Sequence, residues 1–312
     1  MATTTSITTT YAGEFKKKMI AAALLEANTI ANGGIEVKAG IKYKEVIKKL
    51  AVNDILKNAT CDFDSTSTVT LTEKILQPEE FQVNLQLCKK DWLSIEQGLS
   101  AFDVLPKTFQ DFLMAKVIEK VALKMEQNIW QGVTANAGEF DGFITLLTTD
   151  ATLPAANEVA GTTVTAANVV AELGKIVDAI PAALYGNENL NIYIPQNIYR
   201  AYVRSLGGFG ASGLGSAGFN SQGNNQAFGD LMFDGVKLFV ANGLPSNKAI
   251  ATLKDNLYFG TGLLNDTNEV KIIDMADIDG SQNVRIVMRM TAGVQYGYAE
   301  DIVTYGITNA AN

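Results

Sequence analysis

Gly208, Gly210 and Gly213 stand in the order G-x-G-x-x-G. At that spacing a turn presents backbone N–H groups and a helix N-terminus to the pyrophosphate of a dinucleotide. The chemistry needs a strand before the glycines and a helix after them. Here the preceding residues, QNIYRAYVRSL (196–206), read as a helix, and the following SAGFNSQGNNQAFG is too rich in Gly and Asn to form one. No Gly-Lys-Ser/Thr is present, which excludes a P-loop. The stretch 207–229 therefore reads as a long surface loop, and loops of that length usually have a role or lack order.

Other reactive side chains are sparse. Asp111, Glu139 and Asp141 would form a carboxylate group near a long helix, but ordinary turn and capping roles account for each. The chain has no histidine, which removes Ser-His-Asp and Cys-His catalysis and the commonest zinc ligand. Cys61 and Cys88 are the two cysteines, too few for a disulfide framework, and are expected to be reduced and partly buried. Trp92 and Trp130 are expected to anchor a core or an interface. No catalytic, cofactor-binding or metal-ligating residue is assigned, and no enzyme activity is expected.

The 312 residues carry a net charge of −8 with 47% hydrophobic residues, enough to bury a large core in one or two domains. The basic runs Lys16-Lys17-Lys18 and Lys42…Lys49 lie on amphipathic segments as solvated faces, so sequence-specific nucleic-acid binding is not expected. No apolar run approaches the ~18 residues of a membrane span. The start MATTTSITTTYAG lacks a signal-peptide core, so a non-secreted chain without membrane contact is expected.

The elements follow from periodicity. YAGEFKKKMIAAALLEANT (11–29) reads as a helix with Phe15, Ile20, Leu24 and Leu25 on one face. Residues 35–62 fit a short helix or an extended arm equally well. In 63–76 Val69 and Leu71 alternate with Thr70 and Thr72. In FQVNLQLC, Phe81, Val83, Leu85 and Leu87 face one way and Gln82, Asn84 and Gln86 the other. These two runs predict a two-stranded ribbon joined around Gln77-Pro78. A long helix follows, with Phe109, Leu113, Val117, Val121, Met125 and Ile129 as its apolar stripe and Lys116, Glu119, Lys120, Lys124 and Glu126 opposite. GEFDGF (138–143) is a turn leading into Ile144 and Leu146, and 150–164 reads as a linker. A second helix carries Val169, Leu173, Ile176, Val177 and Ile180 and ends at Pro181. Strands are predicted at 191–195, 235–241, 249–253 and 255–264, and across Val284, Ile286, Met288 and Met290. The fold class is α+β.

This order resembles the major capsid proteins of tailed bacteriophages, the Hong Kong 97-like fold. TFQDFLMAKVIEKVALKMEQNIWQG (108–132) with GEFDGF looks like that family's spine helix and following turn. The segment 257–306, with its Phe-Gly turn, Arg-bearing strand and Gly-Val-x-Tyr-x-Tyr run, looks like its closing strands. The resemblance implies an N-terminal arm at 1–34 and an extended loop at 35–80. It implies a peripheral domain at 81–150 and 265–312 with a spine helix at about 108–132, and an axial domain at 151–264. It implies a shell protein that forms pentamers and hexamers around a double-stranded DNA genome. Assembly would take place in the host cytoplasm, and a separate scaffold, a portal and decoration proteins would be further partners. Interface residues would include Phe15 and Leu24 on the arm, Val69 and Leu71 on the extended loop, and Gly208, Gly213 and Gly215 in the axial loop. There a Gly-rich segment can take different conformations in different rings.

The arm begins almost at once, so a separate scaffold or none is expected. Some relatives cross-link a lysine to an asparagine, but nothing singles out a pair involving Lys57 or Lys74, and no cross-link is expected. The competing readings are an encapsulin-like compartment shell, a tail-tube or sheath subunit, and, as a third class, an enzyme.

Overall fold

In a computed structural model of the chain, the described residues are 28–53, 56, 58, 59, 61, 68–88, 107–207, 231–262 and 270–310. A short helix α1 (Asn28–Ala31) leads into strands β1 (Glu36–Ala39), β2 (Glu45–Asn53), β3 (Thr68–Leu76) and β4 (Glu79–Cys88). The long helix α2 (Lys107–Gln131) and the short α3 (Phe143–Thr149) follow. Then come β5 (Glu158–Val159), α4 (Val169–Asp178), β6 (Leu190–Ile194) and α5 (Gln196–Gly207). The chain closes through β7 (Met232–Phe233), β8 (Val236–Val240), β9 (Ala249–Leu253), β10 (Leu257–Thr261) and β11 (Val270–Asp274), then α6 (Ala276–Asp279), β12 (Asn283–Tyr296) and β13 (Val303–Tyr305).

β12 organises the first sheet. Val284, Ile286, Met288, Met290, Ala292, Val294 and Tyr296 are all buried, whereas Arg285 and Arg289 are exposed. Such alternation gives a sheet with one dry and one wet face. β12 pairs antiparallel with β4, β11 and β10, and β1 adds in parallel to β10. The dry face packs on α2 through Met114, Ile118, Met125, Ile129 and Trp130. β4 contributes Phe81, Val83, Leu85 and Leu87 to the same core, as its alternation predicts.

The second sheet has the order β5-β13-β9-β6-β8-β7. All five residues of β6 are buried, as a strand covered on both faces requires. Ile192 and Ile194 meet α4 and α5 through Val169, Leu173, Ile176, Ile198 and Tyr202. Tyr193 belongs to the other core and packs in tilted contact with Trp130 and Phe239, with ring centroids 5.1 and 5.3 Å apart and interplanar angles of 45° and 54°.

Several expectations need correction. β3 does not pair with β4. It pairs with β2, from Glu45 opposite Leu76 to Asn53 opposite Thr68. β4 instead pairs along its whole length with β12, from Glu79 opposite Ala292 to Cys88 opposite Asn283, which sets Phe81, Val83, Leu85 and Leu87 against the same core as the alternate residues of β12. Of the two readings left open for 35–62, the extended one is found, as β1 and β2 among the described residues. The buried stripe of α2 runs through Met114, Ile118, Ala122, Met125 and Ile129, with Val117 and Val121 only half-buried on its flank. The turn at 138–143 leads into a helix that carries Ile144 and Leu146, whereas the stretch read as a linker contains β5.

The two sheets also draw together segments that the expected domain order keeps apart. β10, assigned to the axial part, lies in the first sheet because Phe259 and Leu257 face Val294 and Tyr296 across the ladder. β13, assigned to the peripheral part, inserts between β5 and β9, where its three buried residues Val-Thr-Tyr are covered. β1, assigned to the extended loop, is a strand of the first sheet.

The turn after α2 shows why glycine stands at its ends. A Cβ on Gly132 would lie 2.2 Å from the Phe140 carbonyl oxygen, and one on Gly142 would lie 2.5 Å from that of Asn128. Only a residue without a side chain lets the two strands of this turn close.

Candidate assembly interface

β2 and β3 form a separate two-stranded ribbon. Its two faces differ in chemistry. Residues directly opposite in an antiparallel pair share a face, so Val46 and Ile75, Lys48 and Glu73, and Leu50 and Leu71 lie together on the outer side, in line with Val69. Val69 is 64% exposed, Leu71 63% and Leu50 58%; Val46 and Ile75 are exposed as well. An isolated hairpin is marginal in water, and exposed apolar side chains grouped within a polar surround, here Leu50, Leu71 and Val69 beyond the Lys48 and Glu73 pair, mark a binding surface.

The inner face is fastened to the body. Leu76 and Ile47 are buried with Ile41 against Tyr258. Lys74 forms an ion pair with Asp150 and lies 3.7 Å from the Tyr296 ring centroid. The Tyr296 hydroxyl donates to the same carboxylate. Lys49 pairs with Glu300 at 2.8 Å and sits over Tyr298 at 5.3 Å. Lys38, on β1, pairs with Glu45 at 2.6 Å and sits over Tyr258 at 4.7 Å. Three lysines thus share one geometry, with a carboxylate at the ammonium head and an aromatic face beneath it. Burial opposes ionisation of Asp150, but hydrogen bonds from Lys74, Tyr296 and Thr152 outweigh it and hold the carboxyl well below the usual carboxylate range. Burial pushes Lys74 down, and its pairing with Asp150 only partly offsets this. Gln295 Nε2 also donates to the Ile75 carbonyl at 3.1 Å. These contacts set the direction in which the ribbon leaves the body.

A second anchor was not legible as such. Glu126, expected on the solvent face of α2, is buried. Its carboxylate accepts from the Thr29 amide at 2.9 Å, the Thr29 hydroxyl at 2.6 Å and the Gly243 amide at 3.3 Å. Trp130 Nε1 donates to the Thr29 hydroxyl at 2.8 Å. The segment that follows residue 27 is therefore held on α2 by a polar network that satisfies a buried carboxylate with donors rather than a cation. The signal was positional, since 126 lies four residues from both Ala122 and Trp130.

Of the expected interface residues, Val69 and Leu71 come together on the ribbon's outer face. Phe15, Leu24, Gly208, Gly213, Gly215 and Trp92 lie outside the described residues. The carboxylate group near α2 resolves into turn roles. Glu139 accepts from the Val133 amide and from Asn136 and pairs with Lys124, and Asp141 accepts from the Thr134 amide. The Asp111 side chain is not among those described. Cys61 is exposed and Cys88 half-buried, and both are free thiols. Among the described residues no cluster of three metal-ligating side chains occurs, and no helix is long and apolar enough to cross a membrane.

With this geometry in hand, solved structures supply the comparison. A capsid chain of a native GTA particle aligns with a TM-score of 0.60 at 14% identity, covering 99% of this chain and 95% of that one. The capsid of Myoviridae phage XM1 aligns at 0.55 with 13% identity, over 89% of this chain and 91% of that one. A chain of Mycobacterium phage Adephagia aligns at 0.55 with 15% identity, over 88% of each. The chain has the fold of tailed-phage major capsid proteins. No family model and no curated protein matches it. At these identities the likeness reaches the path of the backbone and leaves the contacts of each side chain to be argued from this chain.

Proposed function

We propose that this chain is a major capsid protein that self-assembles through pentamers and hexamers into an icosahedral shell around a phage double-stranded DNA genome. One observation carries the reading: on a capsid fold, the ribbon leaves Val46, Leu50, Val69, Leu71 and Ile75 exposed on its outer face, while Ile47, Leu76, Lys49 and Lys74 hold its inner face to its own body. Such a ribbon is complete only when a second surface covers Val46, Leu50, Val69, Leu71 and Ile75. The surface proposed is a neighbouring copy. The arm with Phe15 and Leu24 and the Gly-rich segment with Gly208, Gly213 and Gly215 are proposed as further contacts between copies, the latter around the ring centres.

The net charge of −8 suits a wall that holds DNA without gripping it. No group described above forms a nucleophile–base pair, and the role proposed is structural. The solved structures named above are phage or GTA capsids, which favours this reading over a compartment shell or a tail component. The test is sedimentation and negative-stain microscopy of the expressed chain, alone and with the products of neighbouring genes. Rings or closed shells are expected. A monodisperse monomer under every condition, with no particle, refutes the proposal.

A further inference from the structure

The second sheet and its helices carry two exposed features of opposite charge on different elements. The first is an open groove of about 510 Å³ between the end of α4 and the turn joining β7 to β8, lined by Val177, Asp178, Ile180, Ala182, Tyr185 and Asp234. Its floor is aliphatic. Tyr185 is fixed across it, its hydroxyl donating to the Asp234 carbonyl oxygen at 2.7 Å, and its ring is half exposed. Asp178 and Asp234 are both exposed. The second feature lies on α5. Gln196, Arg200 and Arg204 recur every four residues along its exposed side, one turn apart. Arg200 donates to Gln196 within the same helix at 3.1 Å. Among the described residues, no carboxylate pairs with either arginine and no cation pairs with either aspartate.

The groove has the chemistry that receives an arginine. Aliphatic walls take the methylene stem, an aromatic ring offers its face to the planar guanidinium, and carboxylates meet its N–H fork. A ring of identical subunits needs just such a non-identical pair of patches, because each contact joins one surface of a copy to a different surface of the next. We infer that the groove receives Arg200 and Arg204 of a second copy of this chain, and that this contact closes the capsomer ring. The inference rests on the capsid reading and names a partner surface within it.

The experiment compares the parent chain with Asp178→Arg, Arg204→Asp and the two combined, by sedimentation velocity and negative-stain microscopy. Circular dichroism verifies the fold of each. Each single reversal places like charges together and is expected to lower the association constant by at least about tenfold. The combination re-creates an opposite-charge pair at every ring contact and restores assembly. Singles that assemble like the parent overturn the inference, as does a combination no better than the singles. Should a reversal disturb folding, Asp178→Asn and Arg204→Gln provide the same reading: weaker assembly supports the pairing, and unchanged assembly overturns it. A parent chain that forms no assembly at all refutes the capsid proposal itself, and the ring contact with it. That failure shows in the parent sample and is distinct from a difference among variants.

Discussion

Replacing Val69 and Leu71 together with Asp separates folding from assembly. The two side chains are 64% and 63% exposed, so little of their burial belongs to the subunit's own fold. In the subunit the change removes the apolar pairing of Leu71 with Leu50 and the apolar side chain that Val69 places opposite Val52. Cross-strand pairs contribute about 0.2–1 kcal/mol each, a loss confined to a ribbon outside both large cores. Covered by a neighbour, the exposed share of each side chain, taken against ~1.5–3 kcal/mol for full burial, gives about 1–2 kcal/mol. The pair then contributes about 2–4 kcal/mol per contact, or roughly 30- to 700-fold in association constant. Introducing two carboxylates into the contact adds a desolvation cost in the same direction. Circular dichroism and thermal melting should show parent-like helix content and one cooperative transition, while sedimentation shows the loss of rings or shells. Two results refute the reasoning. A variant that assembles at parental yield means that the face is not covered in the particle. A variant that loses its cooperative melt means that the ribbon is part of the subunit's own core.

Glu126→Ala leaves the Thr29 amide, the Thr29 hydroxyl and the Gly243 amide without their acceptor; a loss of about 2–5 kcal/mol in chemical denaturation is expected, with faster proteolysis before residue 35, and Glu126→Gln should recover part of both. The Glu139 carboxyl is held down to about 2, from its ordinary value of 4.5, by hydrogen bonds from Lys124, Asn136 and the Val133 amide. A depressed carboxyl stabilises the fold above its unfolded value, so its contribution should fade as pH drops from about 4.5 to about 2; the group is solvent-accessible and the effect small, visible as a flatter acid limb of the melting curve in Glu139→Gln. Shortening 210–226 should leave the melting of the subunit unchanged and alter particle size or the balance of ring types; outright unfolding of the shortened chain would place the segment in the core.

Legibility differed between elements for physical reasons. β4 and β12 were readable because each has one face on the core and one in water, and Phe81 to Leu87 and Val284 to Met290 therefore alternate. β6 was readable as a run of buried residues. The partner of β3 was not, because alternation fixes which side chains share a face and not which strand lies alongside. Nothing local in Thr68–Leu76 distinguishes Glu45–Asn53 from Phe81–Cys88 as its neighbour. The sheet that each of β1, β10 and β13 joins was hidden for the same reason, since no local pattern names a ladder partner. Glu126 was misplaced because its charge outweighed its position. A carboxylate four residues from both a buried Ala122 and a buried Trp130 faces inward if donors are waiting there, and those donors come from Thr29 and Gly243, about a hundred residues to either side. Lys74 was noted only as one lysine among others, and its role depends on Asp150 and Tyr296, which no local pattern links to it.

The ribbon also reverses the usual meaning of alternation. In β4 the apolar residues face the chain's own core and the amides face water. In β3 the same period sets Thr68, Thr70, Thr72, Lys74 and Leu76 on one face, of which only Lys74 and Leu76 at the base are covered by the body, and Val69, Leu71 and Ile75 on the other. A strand that served only its own subunit would be expected to show the opposite phase, because register is set by which face must be dry. The phase is not left loose, since Lys74 and Lys49 are held by Asp150 and Glu300 and backed by Tyr296 and Tyr298. Buried Leu76 closes the inner face at the ribbon's base. Slipping the strand by one residue would bring Ile75 to the covered face but would withdraw Lys74 from Asp150 and Leu76 from its pocket. The clasps and the apolar outer face are therefore two sides of one register, in which polar contacts within the chain commit the hydrophobic face to a surface outside it.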